Sequence, residues 1–128
     1  HAEWNHFAVV FESGTLRYYL DGELTDVFTE GVPSTIGTRS DETKIGAGQR
    51  LGLHHWKGGI RDLRIWRAAR SGDEIRDTMH TPPEPGTPGL SGHWMLDEGS
   101  GSVAFDASAT SDDGTIVSST WATDTCPE

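Results

Sequence analysis

The chain is short of cysteine, of positive charge and of long apolar runs, and each shortage removes a class of function. A single cysteine, Cys126, among 128 residues cannot close an internal disulfide; it is a free thiol, or it pairs with another chain or with a segment outside this sequence. Ten Lys and Arg stand against twenty Asp and Glu, a net charge of −10, which repels nucleic acid and anionic membrane alike. No apolar stretch approaches the ~20 residues that span a bilayer. A nucleophile elbow is absent, as is an Asp-x-Asp-x-Asp-Gly calcium loop, so the pattern is that of a non-enzyme. There is no initiator Met or signal peptide; His1 opens straight into a strand-like pattern, as in a mature or excised piece.

What is present is turn-formers and a few large anchors. Sixteen glycines, five tryptophans and 34% hydrophobic residues predict many short strands around one core. "WNHFAVVF" (4–11) places Phe7, Val9 and Phe11 on one face of a half-buried strand. In the following stretch Leu16, Tyr18 and Leu20 share a face, and Asp21-Gly22 has the chemistry of a two-residue hairpin turn. Residues 29–44 read as a loop with room for one short strand, and "KIGAG" (44–48) as a short strand. In "IRDLRIW" (60–66) Ile60 is out of phase with Leu63 and Ile65, which predicts a bulge near Arg61-Asp62. Ser71 with Glu74 forms a capping box, and Ile75 and Met79 give the short helix behind it one apolar face. "TPPEPGTPG" (81–89) carries four of the six prolines and reads as a stiff connector. Beyond it "LSGHWML" (90–96), "SVAF" (102–105), "DGTIV" (113–117) and a segment beginning at Trp121 are further strands. Strands with one helix predict an all-β fold, an antiparallel β-sandwich. Three segments follow: a sandwich segment at 1–80, a linker at 81–89, and a C-terminal β segment at 90–128 that closes the same sandwich or a neighbouring copy's.

Three phrases carry a family likeness. "EWNHFAVVFESGTLRYYLDGEL", "WKGGIRDLRIWRAARSGDEI" and "LSGHWMLDEGSGSVAFDASATSDDGTI" together resemble LamG-like, concanavalin A-like (laminin G, pentraxin-type) jelly rolls. The order departs from the family's, in which the third phrase usually precedes the first or stands between tandem copies. A Phe-Asp-Gly loop and the strand usually carrying Trp-Val-Arg/Lys are absent, so the roll looks incomplete, a fragment or one finished by another copy.

Two clusters are candidate sites. Asp97-Glu98 cannot act as a glycosidase pair, because adjacent strand residues point to opposite faces. The plainer reading is a strand end and turn, with Asp97 accepting backbone N–H groups as in an Asx-turn. The sharper one is calcium, with Asp97, Asp106, Asp112 and Asp113 as hard oxygen ligands; the resemblance implies a Ca²⁺ at one rim. His54, His55 and Trp56 are the candidate ligand-binding cluster: adjacent histidines diverge too far to share a metal, but a Trp among polar side chains can stack on a sugar. The resemblance instead makes that aromatic a core anchor, and Trp4, Trp66, Trp94 and Trp121 read likewise as core or linker-covering residues. The expected function is a secreted, extracellular or cell-surface recognition or adhesion module that binds glycan or a surface ligand. The alternatives are a building block of a fibre or sheath, assembled from copies of itself by strand exchange, and an accessory domain of a larger secreted hydrolase.

Overall fold

The computed structural model describes residues 3–38, 42–48 and 54–122. It holds seven strands and one helix in the order β1 (Phe7–Glu12), β2 (Thr15–Leu20), β3 (Glu23–Phe28), β4 (Leu63–Trp66), α1 (Gly72–Thr78), β5 (Leu90–Trp94), β6 (Val103–Ala104) and β7 (Gly114–Thr115). They form an antiparallel sheet β1-β2-β3 and the two-stranded antiparallel ladders β4-β5 and β6-β7.

The meander β1-β2-β3 is set by local turn chemistry. Ser13-Gly14 and Asp21-Gly22 both take positive φ at their two central residues, the geometry that matches the twist of the strands they join. The second turn is tied down from outside. The Asp21 carboxylate accepts the His6 N–H (2.7 Å), and the Asp21 N–H donates to the His6 carbonyl (2.8 Å). Gly22 serves twice, because a Cβ there would also meet the Arg76 Cα at 3.2 Å.

The helix begins where the capping box places it. Ser71 Oγ accepts the Glu74 N–H (3.1 Å), and the Glu74 carboxylate accepts the Ser71 N–H (2.8 Å), satisfying two of the first turn's free donors. Ile75 then packs on Val10 and Tyr19, with Ala8 beside them. Gly72 lets the helix come close, since a Cβ there would lie 3.2 Å from the Tyr19 ring. This reverses one expectation. Phe7, Val9 and Phe11 do share a face with Leu16, Tyr18 and Leu20, but the face that α1 covers is the opposite one.

Two strand boundaries also differ. Residues 44–48 form no strand; their backbone is engaged by a loop instead. The break in phase before Leu63 comes from Asp62, whose φ of 52° turns the chain, and Asp62 N–H donates to the Met95 carbonyl (3.0 Å). Trp121 begins no strand within the described residues, and Cys126 lies outside them. The C-terminal strand β5 pairs with β4 of its own chain, Leu63 opposite Trp94 and Ile65 opposite Gly92.

Candidate functional site

The His54–Trp56 segment is held by backbone. Gly48 N–H donates to the His54 carbonyl (3.1 Å) and Trp56 N–H to the Gly46 carbonyl (2.8 Å), so 46–48 and 54–56 clasp each other. His54 takes a φ of 61° and Gly46 one of 77°, which tightens the clasp. The Trp56 indole N–H donates to the Gly59 carbonyl (3.2 Å), which fixes the ring while leaving it 63% exposed. Beneath Gly59 lies Trp4: a Cβ at 59 would fall 2.7 Å from its ring, so only glycine fits. The anchoring role expected of Trp56 therefore belongs to Trp4. His54, His55 and Lys57 are exposed beside Trp56. The other tryptophans hold loops and strands: Trp94 Nε1 donates to the Asp112 carbonyl, Trp121 Nε1 to the Gly101 carbonyl, and Trp66 lies 4.1 Å under the Arg70 guanidinium.

Two of the four candidate calcium ligands, Asp106 and Asp113, spend their carboxylates on backbone N–H groups instead. Asp106 is buried, and each of its oxygens accepts two hydrogen bonds. Oδ1 takes the N–H groups of His93 and Ser108 (2.9 Å each); Oδ2 takes the Ser108 hydroxyl (3.0 Å) and the Asp112 N–H (2.9 Å). Burial alone would raise this carboxyl's pKa, but those donors outweigh it and hold it below the usual carboxylate value. Asp113 Oδ1 accepts the Asp106 N–H (2.8 Å), so Asp106, Asp112 and Asp113 close one knot around a buried peptide corner. Asp97 is exposed. The Asx-turn expected of it is not formed, and it is the neighbouring Glu98 that takes a backbone N–H: its Oε1 accepts from Phe105 N (2.8 Å), and its Oε2 is buried without a partner. Arranged this way the four aspartates do not fit a calcium ion. Among the described residues no group of three or more His, Cys, Asp or Glu is placed to hold any metal.

A family model described as the concanavalin A-like lectin/glucanases superfamily matches residues 1–76. The chain belongs to this superfamily. No curated protein matches it. Among solved structures, this concanavalin A-like chain is similar to a "putative carbohydrate binding protein" from Bacteroides ovatus ATCC 8483, with 24% identity and a TM-score of 0.69. The likeness covers 88% of this chain and 34% of that one, so the chain spans about a third of that structure's length. At that identity it speaks to the fold.

One polar group of this concanavalin A-like domain went unread in the sequence. Asp62 accepts a two-pronged contact from Arg64 (3.0 and 2.7 Å) and the Nε2 proton of His93 (2.7 Å), while Arg64 also donates to the Thr78 carbonyl (2.8 Å). Burial pushes the Asp62 carboxyl up, but Arg64 and His93 pull it further down, so it is ionised well into acid. Acid and imidazole side by side suggest catalysis, but His93 is only 2% exposed. The group therefore braces β4 against β5 and the end of α1. The only trace in the sequence was Asp62 itself, inside a strand-like run where a charge is out of place.

Proposed function

We propose that the chain is a non-catalytic glycan-binding module whose principal contact is the face of Trp56. The observation that carries this reading is a large aromatic ring, exposed yet fixed by its own N–H. The apolar C–H face of a pyranose packs against such a ring, whose π-face is negative, and a ring already held in place loses little entropy on binding. His54, His55 and Lys57 supply donors and acceptors for hydroxyl groups around it. Membership of the superfamily and the description of the solved relative support a carbohydrate ligand. Laminin G-like folds commonly work outside the cell, and we place the module there. No helix among the described residues is long and apolar enough to cross a membrane. The test is a glycan array followed by titration calorimetry on the best binder, with and without EDTA. Trp56→Ala should weaken binding by about tenfold or more while leaving the melting temperature unchanged. Absence of any array signal, or equal affinity in the variant, would refute the assignment.

A further inference from the structure

A cleft of about 270 Å³ opens where the β1-β2 hairpin meets the segment leading into α1. Glu12, Arg17 and Tyr19 line it from the hairpin, and Ala69, Arg70 and Ser71 from that segment. Arg17 stands opposite Val10 and Tyr19 opposite Ala8, so both lie on the α1 side of the sheet. The other side, which carries Phe7 and Val9, is bare among the described residues, and a second layer laid there leaves the cleft open. Tyr19 is the first mark of a ligand site. Its side chain is only 7% exposed and packs with Val10 and Ile75, yet its hydroxyl has no hydrogen-bond partner among the described residues. A buried tyrosine hydroxyl ordinarily finds one. This oxygen is not sealed from solvent, so a ligand entering the cleft can supply the partner.

The second mark is Arg70. Its guanidinium lies 4.1 Å over the Trp66 ring, and its approach to Glu74 is 3.8 Å, beyond hydrogen-bond reach. The stack fixes the plane of the guanidinium and leaves its N–H edge unspent, a fork that matches a carboxylate. Arg17 donates once, to Glu12 (3.1 Å). Glu12 and Glu74 are 58% and 50% exposed, so water weakens their hold on the two arginines. We propose that this cleft binds a sugar residue bearing a carboxylate, a uronic acid, at a site separate from Trp56. Arg70 grips the carboxylate, Arg17 adds a second positive charge, and the Tyr19 hydroxyl exchanges hydrogen bonds with a sugar hydroxyl. The volume falls just short of the ~300 Å³ at which pockets for drug-sized ligands begin, which suits one sugar ring and not a chain. The net charge of −10 repels an anion at a distance, but beyond about 8 Å salt screens it, and at contact the two guanidiniums decide. The proposal rests on the module's being a glycan binder and adds the class of sugar.

The experiment is an amide chemical-shift titration of the full chain with methyl β-D-glucuronide, methyl β-D-glucoside and sodium acetate. The glucuronide should shift residues of the cleft and bind at least about fivefold more tightly than either of the others. Arg70→Gln should weaken it by about tenfold, and Tyr19→Phe, which removes only the unpartnered hydroxyl, by about fivefold with the melting temperature unchanged. Glu12→Gln frees Arg17 and removes an opposing charge, so it should tighten binding about threefold, a gain that a damaged fold cannot give. Equal affinity for glucuronide and glucoside would overturn the proposal, as would shifts that avoid the cleft or affinities that none of these variants changes. Acetate binding as tightly as the glucuronide would overturn the assignment to a sugar. Trp56→Ala should leave the cleft shifts as they are. Neutral glycans that bind through Trp56 while the glucuronide does not enter the cleft would sink this inference alone, whereas a silent glycan array with a working cleft titration would sink the Trp56 assignment alone.

Discussion

Replacing Asp106 separates a backbone anchor from a metal ligand. Its carboxylate holds three backbone N–H groups and one hydroxyl, on residues 93, 108 and 112, and so ties β5 to the turn that follows β6. Asp106→Ala strands all three N–H groups in a site too enclosed for water to replace every bond. Each orphaned donor costs about 1–3 kcal/mol, and because neighbouring losses do not simply add, the total should be about 3–5 kcal/mol. A domain of this size has only about 5–15 kcal/mol of stability, so the alanine variant should be barely folded. Asp106→Asn is the informative partner. It keeps one carbonyl oxygen for the His93 and Ser108 N–H groups, and its amide can donate to a reoriented Ser108 hydroxyl. Only the Asp112 N–H is then left facing a donor, at a cost of about 2 kcal/mol. Urea denaturation with unchanged slope gives both values. EDTA should leave the melting temperature of the unaltered chain where it is. The reasoning fails if Asp106→Ala costs less than about 1 kcal/mol, or if EDTA destabilises the unaltered chain but not Asp106→Asn.

Ser71→Ala should cost about 1 kcal/mol through loss of the Oγ that accepts the Glu74 N–H, the Glu74 carboxylate still accepting the backbone N–H of residue 71, and an unchanged urea midpoint would contradict the cap. Gly22→Val should cost about 3 kcal/mol, since it strains a φ of 82° and drives a side chain into Arg76, whereas Asp21→Ala should cost about 1 kcal/mol for the lost His6 contact. Equal midpoints for the two variants would argue against the close approach of α1. Acid should destabilise the fold in two stages. His6 is held below its ordinary value of 6.5, first by burial and then by Arg64, with His80 adding to the effect against the opposing pull of Asp62 and Asp21. Its contribution is therefore present above pH 6.5 and is lost as the pH falls towards the lowered folded value; Asp62 and Asp106 follow below 3.8. Melting temperatures that stay flat from neutral pH down to 3.8 would rule out the first stage.

Local rules made part of this fold legible. The Asp21-Gly22 turn, the Ser71–Glu74 box and the two-residue alternation of β1 and β2 need only neighbours in sequence, and all three stand where the residues placed them. Features set by distant partners were not legible. Nothing near Trp56 in the sequence says whether its ring is buried; that the Trp4 ring lies against Gly59 while the Trp56 N–H reaches the Gly59 carbonyl is set by residues more than fifty positions apart. Asp106 looked like a rim ligand because acidic residues gather around it, but its oxygens were claimed by N–H groups up to 13 residues away. Residues 44–48 have strand-like composition, yet their hydrogen bonds go to a loop whose path no periodicity reveals.

The misjudged face of β1 shows how sequence and structure bear on the same surface. Alternation identifies two faces of a strand but does not say what covers either. In "FAVVF" the residues between the large ones, Ala8 and Val10, are apolar too, and they are the ones that meet α1. A strand with water on one side alternates apolar with polar; a continuous apolar run belongs to a strand buried on both sides. The composition of β1 therefore calls for two layers, one above and one below. The helix is the first. Phe7, Val9 and Phe11 are larger than the residues under the helix, and Tyr18 and Phe28 extend the same surface across the sheet, which is a poor use of aromatic area if water is to remain there. The bare face is thus specified by the sequence as well as exposed in the structure, and a second layer of polypeptide is what its residues are built to meet.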